Sequence, residues 1–486
     1  MSGARQATAA GGVDIGATLD AGPFSAMQGL AVLLAALSIV LDGFDGQLIG
    51  FAIPALIRDW HLAREAFVPA VAAGLVGMGL GSAAAGPFAD RFGRRRAVIL
   101  SVFVFGAATC AIGAAQDIAG LALLRFVAGL GIGGALPTAT TLTAEFTPAR
   151  HRTLMVTATI VCVPLGGMLA GLFAHAVLPV QGWRGLFVAG GALPLLLGVV
   201  LLATLPESPR YLARHRARWP ELGRLLARMR RPVAPDAAFS DPVERRDAAA
   251  TAGADGREQR IVDGAPSARI GAERRGFRAL FADGLAGDTL ALWCAFFMSL
   301  LAVYSAFSWL PAMLAAQGLS VDVAGSGLTA YNLGGVIGAL GCALAIARWG
   351  SRWPLVVSAL GGAASAAALF GVDVASQRGW LLLGLGLHGL FVNAVQATMY
   401  ALCAHLYATP VRATGTAGAL MVGRLGAIFS AFAGAWVIGA GGKAAYLTML
   451  VVSMTIAALA LAVLRDHVNP LRAQRVRPER IASPSR

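Results

Sequence analysis

The sequence predicts an all-α integral membrane protein with twelve transmembrane helices, arranged as two pseudo-symmetric six-helix bundles. The first indication is composition: 57% of the 486 residues are hydrophobic and only 13% are charged, whereas a soluble domain carries about 25% charged residues. The second is a series of apolar runs, each close to the ~20 residues that a helix needs to cross a bilayer. The third is a set of short charged motifs that recurs in the second half of the chain.

The apolar runs favour helices over strands. Backbone polar groups find no water at membrane depth, so each run must bond its own backbone groups, as a helix does. A transmembrane barrel would instead show short segments of alternating polarity. The twelve predicted spans cover residues 28–56, 66–88, 97–116, 119–144, 154–178, 184–205, 289–315, 323–347, 354–373, 379–403, 413–440 and 443–464.

The recurring motifs predict a duplicated six-helix unit. Residues 91–95 (RFGRR) and 348–352 (RWGSR) are 257 residues apart, and residues 148–150 (PAR) and 410–412 (PVR) are 262 apart. Such a repeat at nearly one offset is the mark of internal duplication, and membrane carriers built this way hold their ligand between the repeats. The predicted organisation is an N-terminal tail (1–27), a six-helix bundle (28–205), a linker (206–288), a second bundle (289–465) and a C-terminal tail (466–486).

The basic residues are unevenly distributed between the two sides of the membrane. Across the alternating connections, 32 Lys and Arg fall on the side of the termini and the linker, and five fall on the other side. This bias predicts that both termini are cytoplasmic. We interpret the net charge of +14 as a topology signal rather than as a nucleic-acid surface.

The linker divides into two parts. Leu212, Trp219, Leu222 and Leu225 recur at helical spacing among arginines, which predicts an amphipathic helix on the membrane surface over residues 206–231. The following residues are rich in Ala, Asp, Pro, Gly and Arg and are predicted to be disordered. No cysteine spacing fits a metal site, and no cofactor is predicted.

Two aspartates lie inside the first span. Asp42 and Asp45 are one helical turn apart, although a carboxylate at membrane depth costs about 2.5–3.5 kcal/mol on insertion scales. Groups at this spacing lie ~5–6 Å apart on one helix face, so ionising both is unfavourable and their titration is coupled. We therefore predict that one of them carries a proton.

Three further ionisable groups lie at a similar depth. Counting ~1.5 Å per residue, Asp42, Arg125, Arg424 and His388 all fall about 9–13 Å from the outer side, which predicts a shared cavity. The arginines suit a carboxylate, because guanidinium offers a two-pronged donor; the alternative is a structural ion-pair network. His388 is a second proton candidate, with a packed, hydrogen-bonded histidine as the alternative. The remaining predicted substrate contacts are Tyr304, Asn393 and Gln396.

A charged loop between the second and third spans predicts a gate. Residues 86–96 read GPFADRFGRRR, in which glycines allow a tight turn and an ion-pair cluster could open and close with movement of the two bundles. The alternative is a static positive anchor. The predicted gating residues are Gly86, Asp90, Arg91, Gly93, Arg94, Arg95, Glu145 and Arg150.

This loop resembles the signature of the major facilitator superfamily, and further runs resemble its aromatic acid:proton symporter branch. The first group of matching runs is 86–96, 125–137, 145–150 and 206–212; the second is 41–45, 304–311, 412–418 and 423–427. The resemblance implies the major facilitator fold, and import of a hydroxybenzoate-like carboxylate with a proton by alternating access. It also implies a bacterial inner membrane and function as a monomer, with the lipid bilayer, the aromatic acid and the proton as partners.

Other functions stay open at this point. The PESP run at 206–209 also suits a carrier of a sugar or a dicarboxylate, and a membrane sensor without transport is a further alternative. An enzyme is not predicted, because no activated nucleophile with a nearby base is found at suitable spacing.

Overall fold

The computed structural model describes residues 13–234, 237–240, 280–281, 285–373, 376–407 and 412–468. Three short 3₁₀ helices lie at Arg64–Phe67, Arg216–Arg218 and Leu369–Gly371. The other elements in chain order are β1 (Val13–Asp14), α1 (Ile15–Asp20), α2 (Ala26–Trp60), α3 (Val68–Phe92), α4 (Arg94–Ile112), α5 (Ile118–Phe146), α6 (Ala149–Thr204), α7 (Pro209–Arg214), α8 (Trp219–Arg228), β2 (Phe239–Ser240), α9 (Ala286–Ala316), α10 (Val321–Trp349), α11 (Arg352–Ala368), α12 (Arg378–Leu406) and α13 (Arg412–Val463).

Two of the helices are double spans. Within the described residues, ten helices are long and apolar enough to cross a membrane. Helix α6 has 56 residues, about 84 Å at 1.5 Å each, and its backbone leaves the helical region at Gly182 (φ 64°, ψ −170°). Helix α13 breaks in the same way at Gly441 and Gly442. The ten helices therefore make twelve spans, which confirms the predicted fold class.

The two halves of the chain, α2–α6 and α9–α13, repeat the same glycine contacts. A Cβ built on Gly77 or Gly81 of α3 would lie 2.2 or 2.1 Å from a backbone oxygen of α5. A Cβ on Gly334 or Gly338 of α10 would lie 1.8 Å from a backbone oxygen of α12. These glycine pairs are 257 residues apart, the same offset as the charged loops, so the duplication extends to how the helices touch.

A second close crossing in the first half joins α2 and α6. A Cβ on Gly43 would lie 2.1 Å from the Val163 oxygen, and a Cβ on Gly166 would lie 2.0 Å from the Val40 oxygen. Only glycine allows this approach, and small residues at helix contacts are typical of membrane proteins.

The linker packs on the first half, which corrects one prediction. The apolar residues assigned to a membrane-surface helix are buried in protein: Leu212 and Leu222 are fully buried and Leu225 is 5% exposed. They belong to helices α7 and α8 and share a core with α1. The apolar side of α7 and α8 was assigned to lipid, but α1 of the N-terminal segment packs against it instead. The stretch predicted to be disordered lies largely outside the described residues. Where the structure does describe it, β2 pairs in parallel with β1.

The membrane end that carries α1, α7 and α8 is called the linker face here, and the opposite end, with Trp60 and Gly182, is called the distal face. Five contacts between the two halves lie in the distal part of the spans. They involve α2 with α9 and α10, α6 with α10, and the loop before α3 with α13.

Candidate functional site

A central cavity lies between the two halves. It is lined by α2, α3, α5 and α6 from the first half and by α9, α10, α12 and α13 from the second. Five of the predicted site residues line it: Asp42, Tyr304, Asn393, Gln396 and Arg424.

The cavity holds one cation and one carboxyl group from opposite halves. Arg424 on α13 donates from Nη1 to the Tyr304 hydroxyl at 2.9 Å. Asp42 on α2 is 6% exposed, and its Oδ1 accepts no hydrogen bond in the described structure. A buried carboxylate oxygen without a partner is costly, so Asp42 is suited to exchange a proton or to receive a ligand donor.

Aromatic rings form part of the wall beside Arg424. The rings of Tyr304 and Phe307 meet edge to face with centroids 5.6 Å apart. Tyr400 also lines the cavity and is held edge to face against Phe296 at 5.8 Å. A flat apolar ring would fit such surfaces.

Asp45 does not line this cavity, although it is one turn from Asp42. It is fully buried, and both of its carboxylate oxygens accept from the Thr109 hydroxyl, at 2.8 and 2.7 Å. Arg125 Nη1 lies 3.9 Å from Asp45 Oδ1. The three residues belong to α2, α4 and α5 and form a polar cluster inside the first half.

The predicted cavity shared by all the ionisable groups is therefore wrong for Arg125 and His388. Arg125 turns towards Asp45 instead of the central cavity. His388 is 1% exposed, and its Nδ1 lies 3.0 Å from the Gly362 oxygen and 3.1 Å from the Ser365 hydroxyl. Both residues face the interior of their own half.

Two amide side chains join the halves on the distal side of the cavity. Gln47 Nε2 donates to Asn332 Oδ1 at 3.2 Å, and Asn332 Nδ2 donates to Gln47 Oε1 at 2.7 Å. Gln47 also lines the cavity. Neither Asn332 nor Thr109 was predicted as a site residue, since a single amide or hydroxyl in an apolar span has no distinctive sequence pattern. Gln47 was visible as a polar residue in the first span, but its partner was not.

Comparisons with known proteins agree with this architecture. The family model described as Major Facilitator Superfamily matches residues 35–321 and 292–485. The chain belongs to the major facilitator superfamily. The predicted family is thereby confirmed, and with it a membrane transporter rather than an enzyme.

Relatives of this facilitator cover nearly its whole length. It is 33% identical over 465 residues to the "Gallate transporter" of Pseudomonas putida, covering 95% of this chain and 96% of the relative. It is 35% identical over 433 residues to the "4-hydroxybenzoate transporter PcaK" of Pseudomonas aeruginosa, covering 88% and 90%. Among solved structures, the partially occluded inward open xylose transporter XylE from E. coli matches with a TM-score of 0.68 at 18% identity, covering 91% of this chain and 99% of that one. The last likeness shows the fold alone.

The predicted gating residues of this facilitator gather at the linker face. Arg94 Nη2 lies 2.7 Å from Asp90 Oδ1, and Arg94 Nε lies 3.3 Å from Glu145 Oε1. The Ser208 hydroxyl donates to the other oxygen of Glu145. Glu145 was predicted beside Arg150, but Arg150 instead donates to the Gly22 oxygen at 2.8 Å; the chain turns away from Glu145 after α5 ends.

A second acid, missed as a gating residue, completes the linker-face cluster. Glu207 accepts from the backbone N–H groups of Arg95, at 3.0 Å, and Ser208, at 2.9 Å. Burial raises the pKa of the Glu207 carboxyl, against the lowering effect of these hydrogen bonds and of Arg218. Gly93 has φ 102°, and a Cβ there would lie 2.1 Å from Glu207 Oε2.

The other predicted gating residues are placed as follows. The Arg95 side chain donates to the Leu205 oxygen at 2.7 Å. The Arg91 oxygen accepts from the Tyr211 hydroxyl at 3.2 Å. A Cβ on Gly86 would meet nothing within 4 Å. All these partners lie in the first half or the linker, so the cluster braces that half in this structure, and its role in gating stays a prediction.

Proposed function

We propose that this transporter imports an aromatic carboxylate together with a proton, by alternating exposure of the central cavity to the two faces of the membrane. The observation that carries the proposal is the pairing of Arg424 with Tyr304, opposite Asp42, in a cavity between the halves. The relatives named for gallate and 4-hydroxybenzoate support the same substrate class.

Arg424 is the proposed carboxylate anchor. Its guanidinium offers several fixed donors, which suits the two oxygens of a carboxylate. Tyr304 and Phe307 would hold the aromatic ring. Asn393 and Gln396, further along the wall, would bond ring hydroxyl groups.

Asp42 is the proposed proton carrier, because it reaches the cavity and Asp45 does not. With Asp42 ionised and Arg424 protonated, the cavity carries no net charge. An entering carboxylate would leave one uncompensated negative charge, which is unfavourable in a buried site. Protonation of Asp42 restores neutrality, so anion and proton travel together. Asp45 with Arg125 would supply a fixed neutral pair behind the site.

The charge distribution supports an orientation of the chain in the membrane, and the relatives support a cellular location. The excess of Lys and Arg on the linker face supports a cytoplasmic linker face and cytoplasmic termini. The bacterial relatives support an inner membrane. In this arrangement, bundles 28–205 and 289–465 rock about the cavity, and a single chain suffices.

Uptake into proteoliposomes tests the proposal. Labelled 4-hydroxybenzoate should accumulate when the outside is acidic, and unlabelled benzoates should compete while xylose and succinate should not. Arg424→Gln should abolish uptake at equal protein content. Competition by the sugar or the dicarboxylate alone would favour the alternative substrates, and accumulation that neither needs nor carries protons would refute the coupling.

A further inference from the structure

Two buried amides form a polar contact between the halves. Gln47 is 1% exposed and Asn332 is fully buried. Each donates to the other, and Asn332 Nδ2 also donates to the Leu328 oxygen at 3.0 Å. This pair is called the amide latch below.

The latch lies between two compartments. On one side is the central cavity, which Gln47 lines. On the other is a vestibule at the distal face, lined by Phe51, Arg58 and Ser320 among others. One turn beyond Gln47, a Cβ on Gly50 would lie 2.0 Å from the Phe307 oxygen, so α2 and α9 are in backbone contact there.

Two more contacts surround the latch on the distal side. A Cβ on Gly171 would lie 1.9 Å from the Thr329 hydroxyl oxygen, and a Cβ on Gly325 would lie 3.4 Å from the Phe51 ring. Nearer the distal surface, a Cβ on Gly439 would lie 3.0 Å from Glu65 Oε1. In each of these contacts a glycine of one half faces a residue of the other half.

Helix α6 is shaped to hold the latch in place. A Cβ on Gly167 would lie 2.0 Å from Gln47 Nε2, so the glycine leaves the space that the amide fills. By contrast, a Cβ on Gly46 would meet nothing within 4 Å. The side of α2 that carries Gln47 is therefore closely fitted, while the adjacent position is open.

We propose that Gln47 and Asn332 are the positioning residues of the outer gate: their paired amides hold the central cavity closed to the distal face, and their separation opens it. The chemistry suits a gate that opens in every cycle. A neutral amide pair avoids the large desolvation penalty of a buried ion pair. Each amide can bond water once the vestibule reaches it, so separation leaves no permanently unsatisfied group.

The proposal concerns which face the cavity opens to, so it is tested without any substrate. Ala397 lines the cavity from α12, and Ala397→Cys is the reporter in a background whose five native cysteines are replaced. An impermeant maleimide is added to intact cells and, separately, to inverted vesicles. The labelling rate is normalised to total labelling in detergent, which corrects for protein amount.

We expect Gln47→Ala with Asn332→Ala to raise labelling from the distal face by about eightfold. The double variant removes two interhelical hydrogen bonds, and each such bond in a membrane shifts an equilibrium by slightly less than threefold. The swap of Gln47→Asn with Asn332→Gln keeps the paired amides and should return the rate towards that of the parent. The matched control is Ser320→Cys in the vestibule, whose labelling should not respond to the latch.

Equal reporter rates in the parent and the double alanine variant would overturn the proposal and leave the amides as static contacts between helices. A rise from the linker face alone would overturn it as well. Because no transport is measured, a failure of the aromatic acid assignment leaves these outcomes unchanged, and failure of the gate leaves uptake of the acid to be judged separately.

Discussion

Replacement of Asp42 and of Asp45 in α2 by asparagine should have very different effects on stability. Asp45→Asn leaves Arg125 buried without its counter-charge, because the Arg125 side chain is only 5% exposed and lies 3.9 Å from Asp45. Two unit charges about 4 Å apart interact by about 4 kcal/mol at an effective dielectric constant of 20. Breaking a buried pair by removing one partner costs about 3–5 kcal/mol. We therefore expect Asp45→Asn to lower the free energy of unfolding by about this amount.

Asp42→Asn should cost less than about 1 kcal/mol. Its Oδ1 has no hydrogen-bond partner in the described structure, so no hydrogen bond is lost at that atom, and an amide is easier to bury than a carboxylate. Arg424 loses a counter-charge, but it is only half-buried and keeps its hydrogen bond to the Tyr304 hydroxyl. The double variant Asp45→Asn with Arg125→Gln should recover most of the loss, because it removes the unpaired charge. The Thr109 hydroxyl can bond the asparagine oxygen, so it adds little to the difference.

The assay is unfolding of purified protein in mixed micelles by increasing dodecyl sulfate, followed by tryptophan fluorescence, at one pH for all variants. The double-mutant cycle then isolates the interaction between residues 45 and 125. Two results would contradict the prediction. One is an unfolding curve of Asp45→Asn that matches the parent; the other is a loss of stability in Asp42→Asn as large as that in Asp45→Asn.

Three further outcomes are expected. Arg424→Lys should raise KM for an aromatic carboxylate about 10- to 100-fold, since lysine cannot form the two-pronged contact and one charge-assisted hydrogen bond is lost; unchanged uptake kinetics would contradict this. Gly167→Ala should crowd the amide latch and raise maleimide labelling of the cavity reporter from the distal face, and an unaltered rate would argue against the fit. Gly93→Ala, with φ 102° and a Cβ 2.1 Å from Glu207, should lower stability by about 2 kcal/mol or more. Gly86→Ala, which meets nothing within 4 Å, is the matched control in the same unfolding curves.

The sequence supported a prediction of each residue's depth in the membrane, but not of its direction around the helix. Depth depends only on counting residues from a span's end, which placed Asp42, Arg125 and His388 at one level. Each residue turns the side chain by about 100° around the axis, and the neighbour that it meets depends on how helices pack. Hence Arg125 and His388 face away from the central cavity, although residue counting placed them at one level with Asp42.

Contacts within a half were easier to predict than contacts across it. The offset between the charged loops predicted a duplicated unit, and the glycine contacts of α3 with α5 recur between α10 and α12. The Gln47–Asn332 pair joins residues 285 apart in the chain, and no local pattern marks a partner at that distance. Nearness in sequence also misled: Glu145 meets Arg94, 51 residues away, rather than Arg150.

The strand pair β1–β2 has a mechanical consequence for the molecule. It fastens the chain to the first half as far as Ser240, and the chain is attached to the second half from Leu280, whose oxygen accepts from the Thr289 hydroxyl at 2.9 Å. The 39 residues from 241 to 279 have a contour length of about 130 Å at 3.3 Å each, several times the thickness of the bilayer. This peptide is too long to pull one half after the other. Force between them must pass sideways through touching helices, and cutting the covalent connection would leave that transmission intact.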